Sequence, residues 1–194
     1  MTKKYFIQSF LIFLIVISIG CTNNSSTKTI SSVKSTNTES TKIQNVEPII
    51  GNKKGNKAID FTIITTEGRK VSLKDYEDNK KPLLIYFWAT WCPFCERDFA
   101  NVKNIYHEYK NDVGFLAVDL DVKETPDDIK RYINSRGLND IEFASGDPRI
   151  LTDYSIKSTT TKFAISREGI ILWTGSGVID ENTWRIIFEG LKKS

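Results

Sequence analysis

Apolar positions along this chain follow two rhythms, and each change of rhythm marks an element. After Pro82 the run Leu83, Leu84, Ile85, Tyr86, Phe87, Trp88 is apolar at every position, the pattern of a strand covered on both faces. Val113 to Leu120, apolar but for Asp119, reads as a second buried strand. Between the two, Phe99, Val102, Tyr106 and Tyr109 recur at helical spacing and give one helix face to the core. Upstream, Ala58 to Thr65 and Lys70 to Leu73 read as strands joined by a turn at Glu67-Gly68, which makes a β-hairpin.

Downstream, Thr125 is an N-cap with Pro126 at the first helical position, and the helix carries Ile129, Tyr132 and Ile133 until Gly137 stops it. Ile141 to Ala144 is a short apolar strand and Pro148 to Tyr154 a short helix. Lys162 to Ser166 and Ile170 to Gly175 flank Arg167-Glu168-Gly169 as a second hairpin. Trp184, Ile187, Phe188 and Leu191, spaced i, i+3, i+4 and i+7, end the chain as an amphipathic helix. The order ββ, βαβα, strand and helix, ββα predicts an α/β fold: a central mixed β-sheet flanked by helices, with an extra N-terminal β-hairpin.

The first 50 residues follow neither rhythm. Lys3 and Lys4 precede an apolar run to Ile19 that closes on Gly20, the layout of a secretory signal over residues 1–20. Counted from Phe6 the run has 14 residues and includes Gln8 and Ser9, which is short for a spanning helix. An uncleaved anchor stays open as the alternative. Ser18-Ile19-Gly20-Cys21 resembles a lipobox, which implies lipidation at Cys21, although Ser18 replaces the usual Leu. Residues 22–42 hold 15 Ser, Thr or Asn in 21 positions, too little apolar surface to fold, so 21–50 reads as a tether and 51–194 as the domain. A coil of about 30 residues reaches a mean of about 30 Å.

Composition narrows the partners. The formal charge is +3, and removing Lys3 and Lys4 leaves 25 basic residues against 24 acidic ones, so no nucleic-acid surface is expected. Of the three cysteines, Cys92 and Cys95 are separated by two residues where a strand gives way to a helix. A thiol there meets the positive end of the helix dipole and unpaired backbone N–H groups, which favour thiolate. Lipidation would account for Cys21, the odd cysteine of an exported chain. Zinc would need further ligands, and the chain offers only His107, itself about 18 Å along the helix by its rise per residue. No metal and no cofactor are expected.

Trp88-Ala89-Thr90-Trp91-Cys92 followed by Cys95, with one hairpin before and a hairpin plus helix after, resembles the thioredoxin fold, and more narrowly the TlpA/ResA-type membrane-anchored thiol-disulfide oxidoreductases. The resemblance covers about residues 51 to 194. It implies that Cys92 is the exposed nucleophile and Cys95 the less accessible resolving thiol. It further implies protein disulfides as substrates, apocytochrome c being one example, and re-reduction by a membrane partner. A monomer held by its lipid on the outer face of the cytoplasmic membrane is expected. Trp91, Pro93, Phe94 and Thr160 would shape the substrate surface, while Trp88 packs in the core. Asp98 matches a carboxylate position of the ResA-like branch, close enough to exchange protons with Cys95 if it turns inward; a solvated helix carboxylate is the alternative.

Three departures from the family pattern stand out. Pro93-Phe94 places Pro first rather than second, as in glutaredoxins, and this pair tunes potentials that span about −270 to −120 mV. Tyr154, Ile156, Phe163 and Ile165 hold the family register that puts Thr160 at the cis-proline position, so the Ser158 to Thr161 loop should be trans or rearranged. Tyr86 replaces the buried Asp of thioredoxins, so no proton relay is expected from that site. Two other functions stay open: a peroxiredoxin-like thiol peroxidase, although Thr90 is out of register for it, and a binding or chaperone module with a structural disulfide.

Overall fold

The computed structural model describes residues 47–194; the signal-like run, Cys21 and the polar tract lie outside the described residues. Among the described residues no helix is long and apolar enough to cross a membrane. Strands β1 (Ile50–Gly51) and β2 (Lys57–Ala58) form a small parallel pair, and β3 (Thr62–Ile64) and β4 (Lys70–Ser72) an antiparallel hairpin. The single strand expected over Ala58 to Thr65 is therefore two. Its first part leaves the hairpin because the Ala58 N–H bonds Gly169 O at 2.8 Å and Lys57 bridges to Ile170, at the turn of the later hairpin.

The expected strand Lys70 to Leu73 ends early for a second reason. Ser72 caps α1 (Leu73–Asp78) in a reciprocal box with Asp75, which draws Leu73 into a helix. Pro82 then opens β5 (Leu83–Trp88), and α2 (Pro93–Tyr106) follows. Next come β6 (Gly114–Asp119), α3 (Pro126–Arg136) and β7 (Glu142–Ala144). The chain ends with α4 (Pro148–Asp153), β8 (Thr161–Ile165), β9 (Ile171–Gly175) and α5 (Glu181–Lys193). Thr125 caps α3 with Asp128, and Gly137 closes it in the left-handed region at φ 64°.

The sheet order is β7-β6-β5-β8-β9, with β5, β6 and β7 parallel and β8 and β9 antiparallel to their neighbours. Alternation along β5 divides the core. Leu84, Tyr86 and Trp88 pack with Phe99, Val102, Ile129, Trp184 and Phe188 from α2, α3 and α5. Leu83, Ile85 and Phe87 face Phe61, Val71, Ile150 and Tyr154 on the other side. All six β5 side chains are buried, which is why the strand shows no polar alternation. The same burial fixes the register: Thr161 pairs with Phe87 and Lys162 with Tyr86, so Thr160 approaches the sheet at the end where β5 runs out.

Candidate active site

At that end the chain turns from strand to helix within four residues. Cys92 is the N-cap of α2, Pro93 occupies the first turn where no N–H is needed, and the Cys95 N–H points to Cys92 Sγ at 3.0 Å. The two cysteines form a disulfide with Cα atoms 5.3 Å apart. Cys92 is 2% exposed and Cys95 fully buried, so in this disulfide state Cys92 is not the exposed thiol expected. As helix cap it turns its sulfur inward toward the α2 backbone. The apolar surface is presented instead by its neighbours Trp91 and Phe94, 60% and 53% exposed, and the Arg97 guanidinium lies 4.8 Å from the Phe94 ring centre. Trp88 is buried against Phe99, Tyr132 and Phe143, a core residue as expected.

The turn before Cys92 is held from the loop after β6. Glu124 accepts from the Thr90 N–H at 3.1 Å and from its hydroxyl, and Trp91 Nε1 donates to Asp121 at 3.0 Å. Behind them Asp119 is fully buried; its Oδ1 accepts from the Asp121 N–H at 2.9 Å while Oδ2 has no partner among the described residues. Burial pushes the Asp119 carboxyl up to about 8, with the Asp121 N–H opposing and Glu124 adding to the rise.

Asp98, one turn beyond Cys95 on α2, is not a solvated helix carboxylate: none of its surface is exposed. Its Oδ1 accepts from the Ile179 N–H at 2.9 Å and from Trp184 Nε1 at 3.3 Å. Its Oδ2 accepts from the Tyr86 hydroxyl at 3.2 Å and pairs with Lys162 Nζ at 2.6 Å. Four donors thus converge on one carboxylate. Tyr86, which lacks the acid expected at its position in the fold, reaches the acid of the next helix. Burial and the Asp98 charge hold the Tyr86 phenol above the ordinary tyrosine range, so it stays protonated and donates to Asp98. Burial pushes the Lys162 ammonium below the ordinary lysine range, against the pull of Asp98.

The loop at the proline-like position is trans, as expected; no cis peptide bond occurs among the described residues. Thr160 lies at φ 64°, a left-handed conformation that a β-branched residue rarely adopts. Its hydroxyl accepts from the Gly177 N–H at 2.9 Å and its carbonyl from Lys162 Nζ at 3.0 Å. Of the residues singled out in the sequence, Trp91, Cys92, Pro93, Phe94, Cys95 and Asp98 share the start of α2. Thr160 sits at the same end of the sheet but is buried at 6% exposure, not on the substrate surface expected, because its hydroxyl and carbonyl are both held by internal donors. Cys21 lies outside the described residues. His107 caps the far end of α2 with Nδ1 3.0 Å from Asp140.

Sequence reasoning overlooked Lys162, Trp184, Glu124 and Asp119. Lys162 had a signal: in a strand with both faces covered it shares a face with Ala164, and that face is the α2 side of the core. A polar cleft of 580 Å³ opens at the opposite end of β5 and β6, beside Lys81 and Gly114, away from the cysteines. Among the described residues no group of three His, Cys, Asp or Glu side chains is placed to hold a metal ion. What the site offers is a dithiol–disulfide pair at a helix N-terminus, with a buried carboxylate one turn away.

Comparison with known proteins agrees with that chemistry. The AhpC/TSA family model matches residues 54–174. The thiol-disulfide oxidoreductase ResA of Bacillus thuringiensis (strain Al Hakam) is 30% identical over 139 residues, 72% of this chain and 77% of that one. A crystal structure assigned as a thiol:disulfide interchange protein DsbE from Chlorobium tepidum superposes with TM-score 0.62 at 26% identity, over 72% of this chain and 98% of that one. A solution structure assigned as a protein disulfide isomerase from Bacteroides thetaiotaomicron gives 0.63 at 23% identity, over 73% and 91% of the two chains, and shares the thioredoxin fold. On the extent of these matches the chain belongs to the AhpC/TSA family, as a thiol-disulfide oxidoreductase of the ResA kind.

Proposed function

We propose that the protein exchanges electrons with protein disulfides outside the cytoplasm through Cys92-Pro93-Phe94-Cys95, held at the membrane by a lipid on Cys21. In this scheme residues 1–20 are the export signal, 21–50 the tether and 51–194 the working domain of a monomer. The observation that carries the chemistry is the Cys92–Cys95 disulfide at the N-terminus of α2 with the buried Asp98 one turn on.

In the reducing direction the Cys92 thiolate attacks one sulfur of a substrate disulfide. The Cys92–substrate bond forms, the substrate disulfide breaks, and the departing sulfur takes a proton. Cys95 then gives its proton to Asp98, which releases one of its four donors to take it, and attacks the Cys92 sulfur. The mixed disulfide breaks, the second substrate sulfur leaves and takes a proton, the Cys92–Cys95 bond closes, and two electrons have passed to the substrate. A membrane redox partner returns them. Trp91, Pro93 and Phe94 form the surface the substrate meets, beside the turn whose Thr160 is itself buried. Thr90 directs its hydroxyl hydrogen to Glu124, which favours disulfide exchange over the peroxidase alternative.

Replacing Cys92 by Ser is expected to abolish disulfide reduction of insulin while leaving the fold intact. Insulin reduction by the Ser variant at the parent rate overturns the assignment.

A further inference from the structure

Lys162 is the only charged residue in β8, and its side chain has no exposed surface. A buried lysine is costly unless every N–H finds an acceptor, and this one uses all three. Nζ lies 2.6 Å from Asp98 Oδ2, 2.8 Å from the Gly177 carbonyl and 3.0 Å from the Thr160 carbonyl. The three acceptors belong to three different segments: α2 just after the cysteines, the turn leading into β8, and the loop from β9 to α5. The Tyr86 ring lies 4.5 Å from the ammonium and the Trp184 ring 5.6 Å, so aromatic faces complete the enclosure.

A buried ion pair is poor evidence for stability alone, since an apolar side chain of similar volume often serves as well. What an apolar side chain could not do here is hold the Thr160 carbonyl. Thr160 sits in the left-handed region and its hydroxyl takes the Gly177 N–H, so the turn is fixed by hydrogen bonds on both sides rather than by a proline ring. We propose that Lys162 is a positioning residue for disulfide exchange: its ammonium sets the buried Thr160 turn at the cysteine end of the sheet and ties it to Asp98, one turn beyond the resolving cysteine. This deepens the proposed function and rests on its placement of Thr160 and Asp98. The Thr160 turn under the substrate surface and the proton site are then one unit, so a change at either is felt at the other.

The test uses Lys162→Met, with Asp98→Asn/Lys162→Met as a second variant that leaves no lone buried charge. Hydrogen exchange at the Gly177 amide reads the turn without reference to activity. It should quicken about tenfold or more, the scale of losing a hydrogen bond to a charged group, while the β6 amides of Leu116 and Val118 stay protected. Steady-state insulin reduction by folded Lys162→Met should show KM raised about tenfold, with kcat changed less. Gly177 protection within twofold of the parent overturns the proposal, and so does a loosened turn with KM unchanged. Failure of the parent protein to reduce insulin would count against the proposed function instead, leaving the exchange measurement to decide the role of Lys162.

Discussion

The hydroxyl of Tyr86 on β5 donates to Oδ2 of Asp98 on α2 across 3.2 Å, with both side chains fully buried. A phenol on the strand therefore serves the carboxylate on the helix that carries the cysteines. Replacing Tyr86 by Phe keeps the ring against Phe99 and Phe115 and removes only this donor. The expected loss is about 1.5–3 kcal/mol, the range for a hydrogen bond to a charged group. A lower denaturant midpoint with an unchanged slope would show it.

Asp98→Asn has a larger effect because it leaves Lys162 charged and buried without its counter-ion. Breaking a buried pair costs about 3–5 kcal/mol. On the proposed mechanism, losing Asp98 as the proton acceptor of Cys95 should also lengthen the life of the mixed disulfide by about 10²-fold or more. Rapid quenching and mass measurement of the Cys92–substrate adduct gives its lifetime. An unchanged lifetime in the folded variant would remove Asp98 from the proton path.

Asp119 makes stability depend on pH. Its carboxyl is raised to about 8 in the fold from 3.8, so between those values the folded chain binds more protons than the unfolded one. Stability contributed by the neutral, buried acid is present at low pH and is lost as pH rises toward and through 8. Asp119→Asn stays neutral and can keep its bond to the Asp121 N–H. The variant should gain on the parent from pH 5 to about pH 8 in denaturant unfolding and hold a constant advantage above that. Parallel curves over that range would contradict the account.

Trp91 and Phe94 separate binding from folding. Both are largely exposed beside a buried disulfide, so truncation to Ala should change stability by no more than about 0.5 kcal/mol. The same variants should raise KM for insulin while the reaction of the reduced enzyme with a small aromatic disulfide stays closer to the parent. Equal losses with both substrates would argue against a docking role.

Much of this architecture was legible from residue pattern. The apolar run Leu83–Trp88, the cap Thr125-Pro126, the stop at Gly137 and the face of Trp184, Phe188 and Leu191 each obey a local rule that the tertiary structure leaves in force. The breaks came where another segment competed. Lys57 and Ala58 pair with the turn at Gly169, which no local pattern around them announces. Helix α1 did have a signal, the Ser72–Asp75 capping box, hidden behind an apolar stretch that reads equally well as strand.

The site was legible for the cysteines and only half legible for the groups around them. Cys92 and Cys95 are neighbours through local spacing alone. The surroundings of Asp98 depend on Tyr86, Lys162, Ile179 and Trp184, which meet only when α2, β5, β8 and α5 have packed. A lysine such as Lys162 reads as solvent-facing until both faces of its strand are known to be covered.

The central claim is that the Cys92–Cys95 pair works in electron exchange rather than as a staple, and its burial at 2% exposure makes the question sharp. The reduction potential of the couple, measured in glutathione or dithiothreitol buffers, answers it most directly. A value within about −270 to −120 mV, the range of dithiols that exchange with substrates, is the predicted result. A value below about −300 mV, typical of structural disulfides, would contradict it.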